Sequence, residues 1–355
     1  MTLAGRHAKM LEEVNEAGSS CGVVLFGAGS YGRLALDFFR DTGHRVLAFC
    51  DNDASKHAHT IEGIPVWSLT QLASANERTA VIITSNRHHH DIARQVAGLT
   101  SLPCLRFNAY VAASLLDRFR HVHDELLADD CSRHIMRTIV EAMLSGDTDL
   151  SAIAAPDIYF AVDSFRYPTR DVYVDAGAYV GDTLEQFIWR SHGSFRRIYA
   201  FEPGLRQFRA LEARRDRLVQ EWALSSDQIV CEHGGVAESE GTLPFGENKS
   251  ELQGSSFAPG NDAGICVRVV ALDSYLGSSP VTFIKADIEG FEIQMLKGAR
   301  KILSHSQPRL ALSVYHRPQD LFAIPICVHT LCPDYKIALR HHSTSLLETV
   351  LYCWT

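Results

Sequence analysis

Asp175, Gly177, Gly181 and Glu202 are spaced so that a small-molecule site can be built from them. Val172 to Val174 form a short apolar run that ends at Asp175. Gly177 and Gly181 let the backbone turn tightly and approach a ligand. Thr183, Leu184, Phe187 and Ile188 then recur on one face of a helix. A second run, Ile198 to Phe201, ends at Glu202, and Pro203 stops it. In an open parallel sheet, ligands bind beyond the carboxyl ends of the strands, so these residues converge on one crevice. Glu202 suits a pair of vicinal ribose hydroxyls, because a carboxylate accepts both hydrogen bonds. The competing reading is a plain strand–helix–strand unit whose glycines serve only the turn.

The glycine spacing separates this site from a dinucleotide cradle, because Ala178, Tyr179 and Val180 lie between Gly177 and Gly181. A D-x-G-x-x-x-G turn followed by an acid one helix and one strand later looks more like a site for S-adenosylmethionine. A second glycine turn stands near the start of the chain. Val23 to Phe26 run into Gly27, Gly29 and Gly32 ahead of a helix, and the next strand, Val46 to Cys50, ends at Asp51. This is G-x-G-x-x-G in its strand–turn–helix setting, a candidate nucleotide site. It would serve NAD(P), giving an oxidoreductase as the alternative function. With Gly63-Ile64-Pro65-Val66 and the acids Asp51 and Asp53, it also resembles the N-terminal domains of bacterial sugar-modifying enzymes, which implies a nucleotide-sugar. An unused scaffold turn is the third reading.

These turns need elements to hold them. Strands at 23–26, 46–50, 65–67, 80–84 and 102–106 alternate with helical patterns, predicting a small Rossmann-like α/β domain over residues 1–108. Residues 109–168 carry apolar positions at helical intervals, among them Phe119, Val122, Ile135, Ile139 and Met143, and are read as a helical linker. Residues 169–355 form the second α/β domain. Its strands at 172–174, 198–201, 229–232, 281–285 and 309–314 alternate with helices. Runs at 335–339 and 350–354 close it as an antiparallel pair, giving seven strands. A short added strand pair, 242–245 and 267–270, flanks a loop rich in serine and glycine.

Composition narrows the function classes. A chain of 355 residues that is 46% hydrophobic can build a core in each of two domains. No apolar run reaches the roughly 20 residues that span a bilayer, and the first residues lack a signal-peptide core, so a cytoplasmic protein is expected. A formal net charge of −8 argues against nucleic acid as partner. The expected partner is a small-molecule acceptor, and a homo-oligomer is left open. Nine cysteines without a C-x-x-C pair read as reduced and buried, with Cys50, Cys231 and Cys327 in strands. His88 to His90, like His341 and His342, read as surface residues.

Taken together, VDAGAYVGDT, FEP, LDSYL, IKADIEGFEIQMLKGA and SVYHRPQDLFAIP make residues 170–330 similar to the FkbM family of S-adenosylmethionine-dependent methyltransferases. The resemblance implies the seven-stranded Rossmann-like methyltransferase fold and S-adenosyl-L-methionine as cofactor. The acceptor it implies is a sugar, glycan precursor or related small molecule, methylated on oxygen. Matched by motif, Asp175, Gly177 and Gly181 would line the methionine end of the cofactor, Glu202 would hold its ribose, and Ala237 would lie near adenine. Lys285, Asp287, Glu289 and His316 would face the methyl group. His316 is then the candidate base, because its ordinary pKa is nearest neutrality. Asp287 would orient it or the acceptor, and Lys285 would lower the acceptor's pKa. A divalent ion such as magnesium on Asp287, Glu289 and His316 ranks second, because Lys285 beside them would repel a cation. Asp287 and Glu289 also read as helix-start carboxylates.

Overall fold

The computed structural model describes residues 9–16, 21–147, 149–166, 169–246 and 265–355. The serine- and glycine-rich loop expected after residue 246 lies largely outside them. The chain forms two compact units, residues 1–117 with 140–147, and residues 118–139 with 148–355. The stretch 109–168 is therefore not a separate linker body, and its residues are shared between the two units. Among the described residues, no helix is long and apolar enough to cross a membrane.

In the first unit, β1 (Val23–Phe26), β2 (Val46–Cys50), β3 (Thr60–Ile61), β4 (Ile64–Trp67), β5 (Ala80–Ile83) and β6 (Cys104–Arg106) form one sheet in the order β3-β4-β2-β1-β5-β6. All pairs are parallel except the short β3–β4 hairpin. The apolar run of β1 is continuous because both faces of the sheet are covered. Val23 and Leu25 pack with Phe39 of α1 (Ser30–Asp41), whereas Val24 and Phe26 pack with Ile92 and Val96 of α2 (His89–Leu99). Burying one such phenylalanine or isoleucine contributes roughly 1.5–3 kcal/mol. His89 begins α2 as a buried residue between exposed His88 and His90, so the histidine run is only partly at the surface.

The second unit holds β7 (Val172–Ala176), β8 (Arg197–Glu202), β9 (Ile229–His233), β10 (Gly235–Val236), β11 (Gly241–Phe245), β12 (Ile265–Val270), β13 (Phe283–Ala286), β14 (Arg309–Ser313), β15 (Lys336–His341) and β16 (Thr349–Trp354). Seven of these form a sheet ordered β15-β16-β14-β13-β7-β8-β9, in which β16 runs antiparallel to both neighbours. The chain leaves β7 through β8 and β9 and returns to β13 on the other side of β7. That reversal opens a crevice at the carboxyl ends of β7 and β13.

Buried Tyr173 of β7 stacks on Phe187 of α3 (Asp182–Arg190), with ring centroids 4.2 Å apart, and fixes that helix to the sheet. The added strands form a three-stranded sheet, β10-β12-β11, rather than a pair, because Gly235–Val236 join parallel to β12. Helices α4 (Leu205–Glu221), α5 (Glu292–Gly298), α6 (Arg300–Ser306) and α7 (Asp320–Leu331) are among those that cover the sheet. Cys327 lies in α7 rather than in a strand, and all nine cysteines are free thiols, two of them exposed. His341 ends β15 fully buried, with Nδ1 2.8 Å from the Thr349 hydroxyl, because β16 covers it. The surface reading of that histidine is corrected.

Candidate active site

The register of β13 on β7 sets Lys285 directly beside Asp175. Lys285 Nζ lies 3.0 Å from Asp175 Oδ1, with side-chain exposures of 2% and 0%. Nζ also donates to the Gly177 carbonyl at 2.7 Å, and lies 5.2 Å from the centre of the Tyr159 ring. Burial favours the neutral amine, but the Asp175 charge outweighs it and raises the Lys285 pKa. The sequence reading brings Asp175 to the cofactor and Lys285 to the acceptor. The geometry instead makes them a sealed pair beneath the glycine turn, and their effect on a ligand passes through the position of Gly177.

Gly177 has φ of 77°, and a Cβ there would sit 1.9 Å from the Asp287 carbonyl oxygen. Glycine is required for both reasons. Gly181, also at positive φ, is the N-cap of α3, with no side-chain cap bond. Between them, the Tyr179 N–H donates to Glu202 Oε2 at 2.8 Å, and the Gly204 N–H donates to Oε1 at 2.7 Å. Glu202 therefore stands at the mouth of the turn with two of its acceptor positions used and two left for hydroxyl donors. Burial pushes its pKa up to about 7, against those two backbone donors. Ala237 is buried, and its carbonyl closes on Gly298, where a Cβ would lie 2.1 Å from it.

A second cluster abuts this turn. Asp287, just past β13, accepts from Tyr159 Oη at 2.9 Å through Oδ2 and from Tyr315 Oη at 3.1 Å through Oδ1. His316 Nε2 lies 3.1 Å from Oδ1 of Asp287 and 3.8 Å from Glu289 Oε2, while Nδ1 lies 3.2 Å from Glu292 Oε1. Burial would raise Asp287, but the hydrogen bond and charge of His316 outweigh it and hold the carboxyl well below the usual range. Burial likewise opposes protonation of His316, but Glu292 and then Asp287 raise its pKa well above the ordinary value. As a base, His316 is corrected by this geometry. Both ring nitrogens face carboxylates, which favour the protonated ring over the free base.

Glu292, Tyr159, Tyr315 and Glu348 join the cluster without having been singled out for it in the sequence. Glu348 sits in the β15–β16 hairpin at φ of 60°, and burial, then the Asp287 charge, push its carboxyl up to about 7. Asp320 on α7 also rises to about 7, through burial and the charge of Glu292. Glu292 and Tyr315 had a sequence signal, Glu292 three residues after Glu289 in the same acidic run and Tyr315 directly before His316.

In the first unit, Asp51 follows β2 as expected, but its carboxylate is already engaged. It accepts from Ala28 N at 2.8 Å, Asp53 N at 2.9 Å and Lys56 Nζ at 2.9 Å. Asp51 therefore secures the glycine turn from within. A Cβ on Gly27 or Gly32 would strike backbone at 2.7 and 2.0 Å, whereas Gly29 faces open space. Close packing accounts for Gly27 and Gly32.

Residues 175–335 match the family described as the methyltransferase FkbM domain. Among solved structures, the chain is similar to a methyltransferase FkbM from Methylobacillus flagellatus KT, with 22% identity, 99% of each chain covered and a TM-score of 0.60. It is also similar to the fibrillarin of Aeropyrum pernix solved with natively bound S-adenosyl-L-methionine. That match has 13% identity and a TM-score of 0.35, covering 55% of this chain and 70% of the other. No curated protein matches the chain.

Proposed function

Since this chain carries a methyltransferase FkbM domain over residues 175–335, we propose that it moves a methyl group from S-adenosyl-L-methionine to an oxygen of a small-molecule acceptor of the sugar or glycan-precursor class. One observation carries the reading. The glycine turn after β7 and the carboxylate–histidine cluster after β13 touch at Gly177 and the Asp287 carbonyl, so a donor side and an acceptor side share one crevice.

The donor supplies the methyl group on a sulfonium, already activated for displacement. The chain has to align the acceptor and exclude water. Glu202 fits the donor's ribose, because its two unused acceptor positions match two hydroxyl donors. The Gly177 turn, braced from below by Lys285, lets the backbone come close to the methionine end. On the other side, Asp287 is oriented by Tyr159, Tyr315 and His316 and presents a fixed acceptor for a substrate hydroxyl. Glu348, whose carboxyl is pushed up to about 7 by burial and the Asp287 charge, is proposed as the group that takes the hydroxyl proton. The sugar class rests on the sequence resemblance.

Calorimetric titration with S-adenosylhomocysteine, run in parallel with NAD, tests the reading. Micromolar binding that Glu202→Ala weakens at least tenfold is expected. Binding of NAD without binding of the homocysteine compound would overturn it and return attention to Gly27, Gly29, Gly32 and Asp51.

A further inference from the structure

The Asp287 cluster gathers five carboxyl groups. Asp287, Glu289, Glu292, Asp320 and Glu348 all act electrostatically on one another or on His316. The nearby cations are His316, Lys285 and Arg317, and Lys285 is paired with Asp175. Asp287, Glu292 and His316 each offer one ligand atom, and the three atoms lie within 4.8 Å of one another.

Two atoms in the cluster lack the hydrogen bonds that burial demands. Glu292 is 1% exposed with no hydrogen-bond partner on Oε2, and His316 Nδ1 is likewise buried without one among the described residues. Nδ1 stands 3.2 Å from Glu292 Oε1 without hydrogen-bond alignment, while Oε1 is held by the Ile288 N–H at 2.9 Å. Ligand atoms on neighbouring vertices of an ion with bonds of about 2.1 Å stand about 3 Å apart. Buried polar atoms left unpaired are costly, and a shared cation would satisfy them.

We propose that Asp287, Glu292 and His316 form a binding site for one divalent first-row transition-metal ion. The donor set, two carboxylates and an imidazole, favours manganese, iron or zinc over calcium. Glu292 takes the place that the sequence reading gives to Glu289, which is more exposed and 3.8 Å from the ring. Resting on the methyltransferase reading, the ion would hold an acceptor through adjacent oxygens. The binding itself is independent of that reading.

The test is manganese titration of the chelator-treated full chain, with free ion counted by electron paramagnetic resonance and no methyl donor present. One ion per chain is expected, with affinity falling at least tenfold in Glu292→Gln and His316→Ala and unchanged in Glu289→Gln. Circular dichroism and S-adenosylhomocysteine titration check that each variant is folded. Fewer than about 0.1 ion per folded wild-type chain would overturn the proposal, leaving an imidazolium held between carboxylates. Binding that persists in both variants would overturn it equally. Loss of homocysteine-compound binding with manganese retained would instead strike the methyltransferase reading alone.

Discussion

Lys285 Nζ stands 3.0 Å from Asp175 Oδ1 on adjacent parallel strands, and solvent reaches neither side chain. Removing one partner strands a buried charge, which costs about 3–5 kcal/mol, whereas replacing both with apolar residues of similar volume is far milder. Lys285→Met should therefore lower the unfolding free energy by about 3–5 kcal/mol, and Lys285→Met with Asp175→Leu should recover most of it. Urea denaturation of the two variants checks this. A single variant within about 1 kcal/mol of wild type would show that the pair is not what holds the turn.

Gly177 and Gly29 make opposite predictions from similar motifs. Gly177→Ala must adopt positive φ and push against the Asp287 carbonyl, so it should lose stability by more than about 1–3 kcal/mol and lose affinity for S-adenosylhomocysteine. Gly29→Ala meets nothing within 4 Å and should leave the melting temperature unchanged. Thermal melts and calorimetry on both variants decide the point. Tolerance at Gly177 would remove the close contact between the two halves of the site.

The contrast marks what could be read in advance. The alternation of strands and helices, both glycine turns and the antiparallel closing pair were legible because they depend on local pattern. Val46–Cys50 falls on the predicted residues, and β15 and β16 lie within a residue or two of theirs. The pairing of Asp287 with His316 was legible, but its approach by Tyr159 and Glu348 was not. Tyr159 reaches it from 128 residues away in sequence, and Glu348 comes from a hairpin whose residues carry no motif. Lys285 was visible, but its burial depends on the register of β13 against β7, which no local pattern encodes. The same dependence hid the fate of Asp51, whose donors include Lys56 and the Ala28 N–H across the sheet.

Glu202 should make both stability and binding depend on pH. Its carboxyl is raised from 4.5 to about 7 in the folded chain. The folded state therefore holds a proton that the unfolded chain releases between these values, and the associated stability is lost as pH rises through about 7. Hydroxyl donors favour the ionised carboxylate, so affinity for S-adenosylhomocysteine should rise between pH 6 and pH 8. Glu202→Gln should weaken binding and flatten both trends. Calorimetry and denaturation at the two pH values test them. A wild-type affinity that is flat across the window would rule out Glu202 as the ribose acceptor.

Tyr159 separates the two sides of the crevice. Its hydroxyl donates to Asp287 Oδ2 at 2.9 Å, while its ring is buried beside the Lys285 ammonium. A hydrogen bond to a charged group is worth about 1.5–3 kcal/mol, and Tyr159→Phe keeps the ring while deleting that bond and the longer 3.5 Å contact with the Ser313 hydroxyl. Stability should fall by about that amount, as read from urea denaturation. Affinity for S-adenosylhomocysteine should hold, because Glu202 and the backbone of the glycine turn are untouched. If affinity fell as far as stability, Tyr159 would be supporting the donor side through Lys285 and Gly177, and the assignment of Asp287 to the acceptor side would have to be withdrawn.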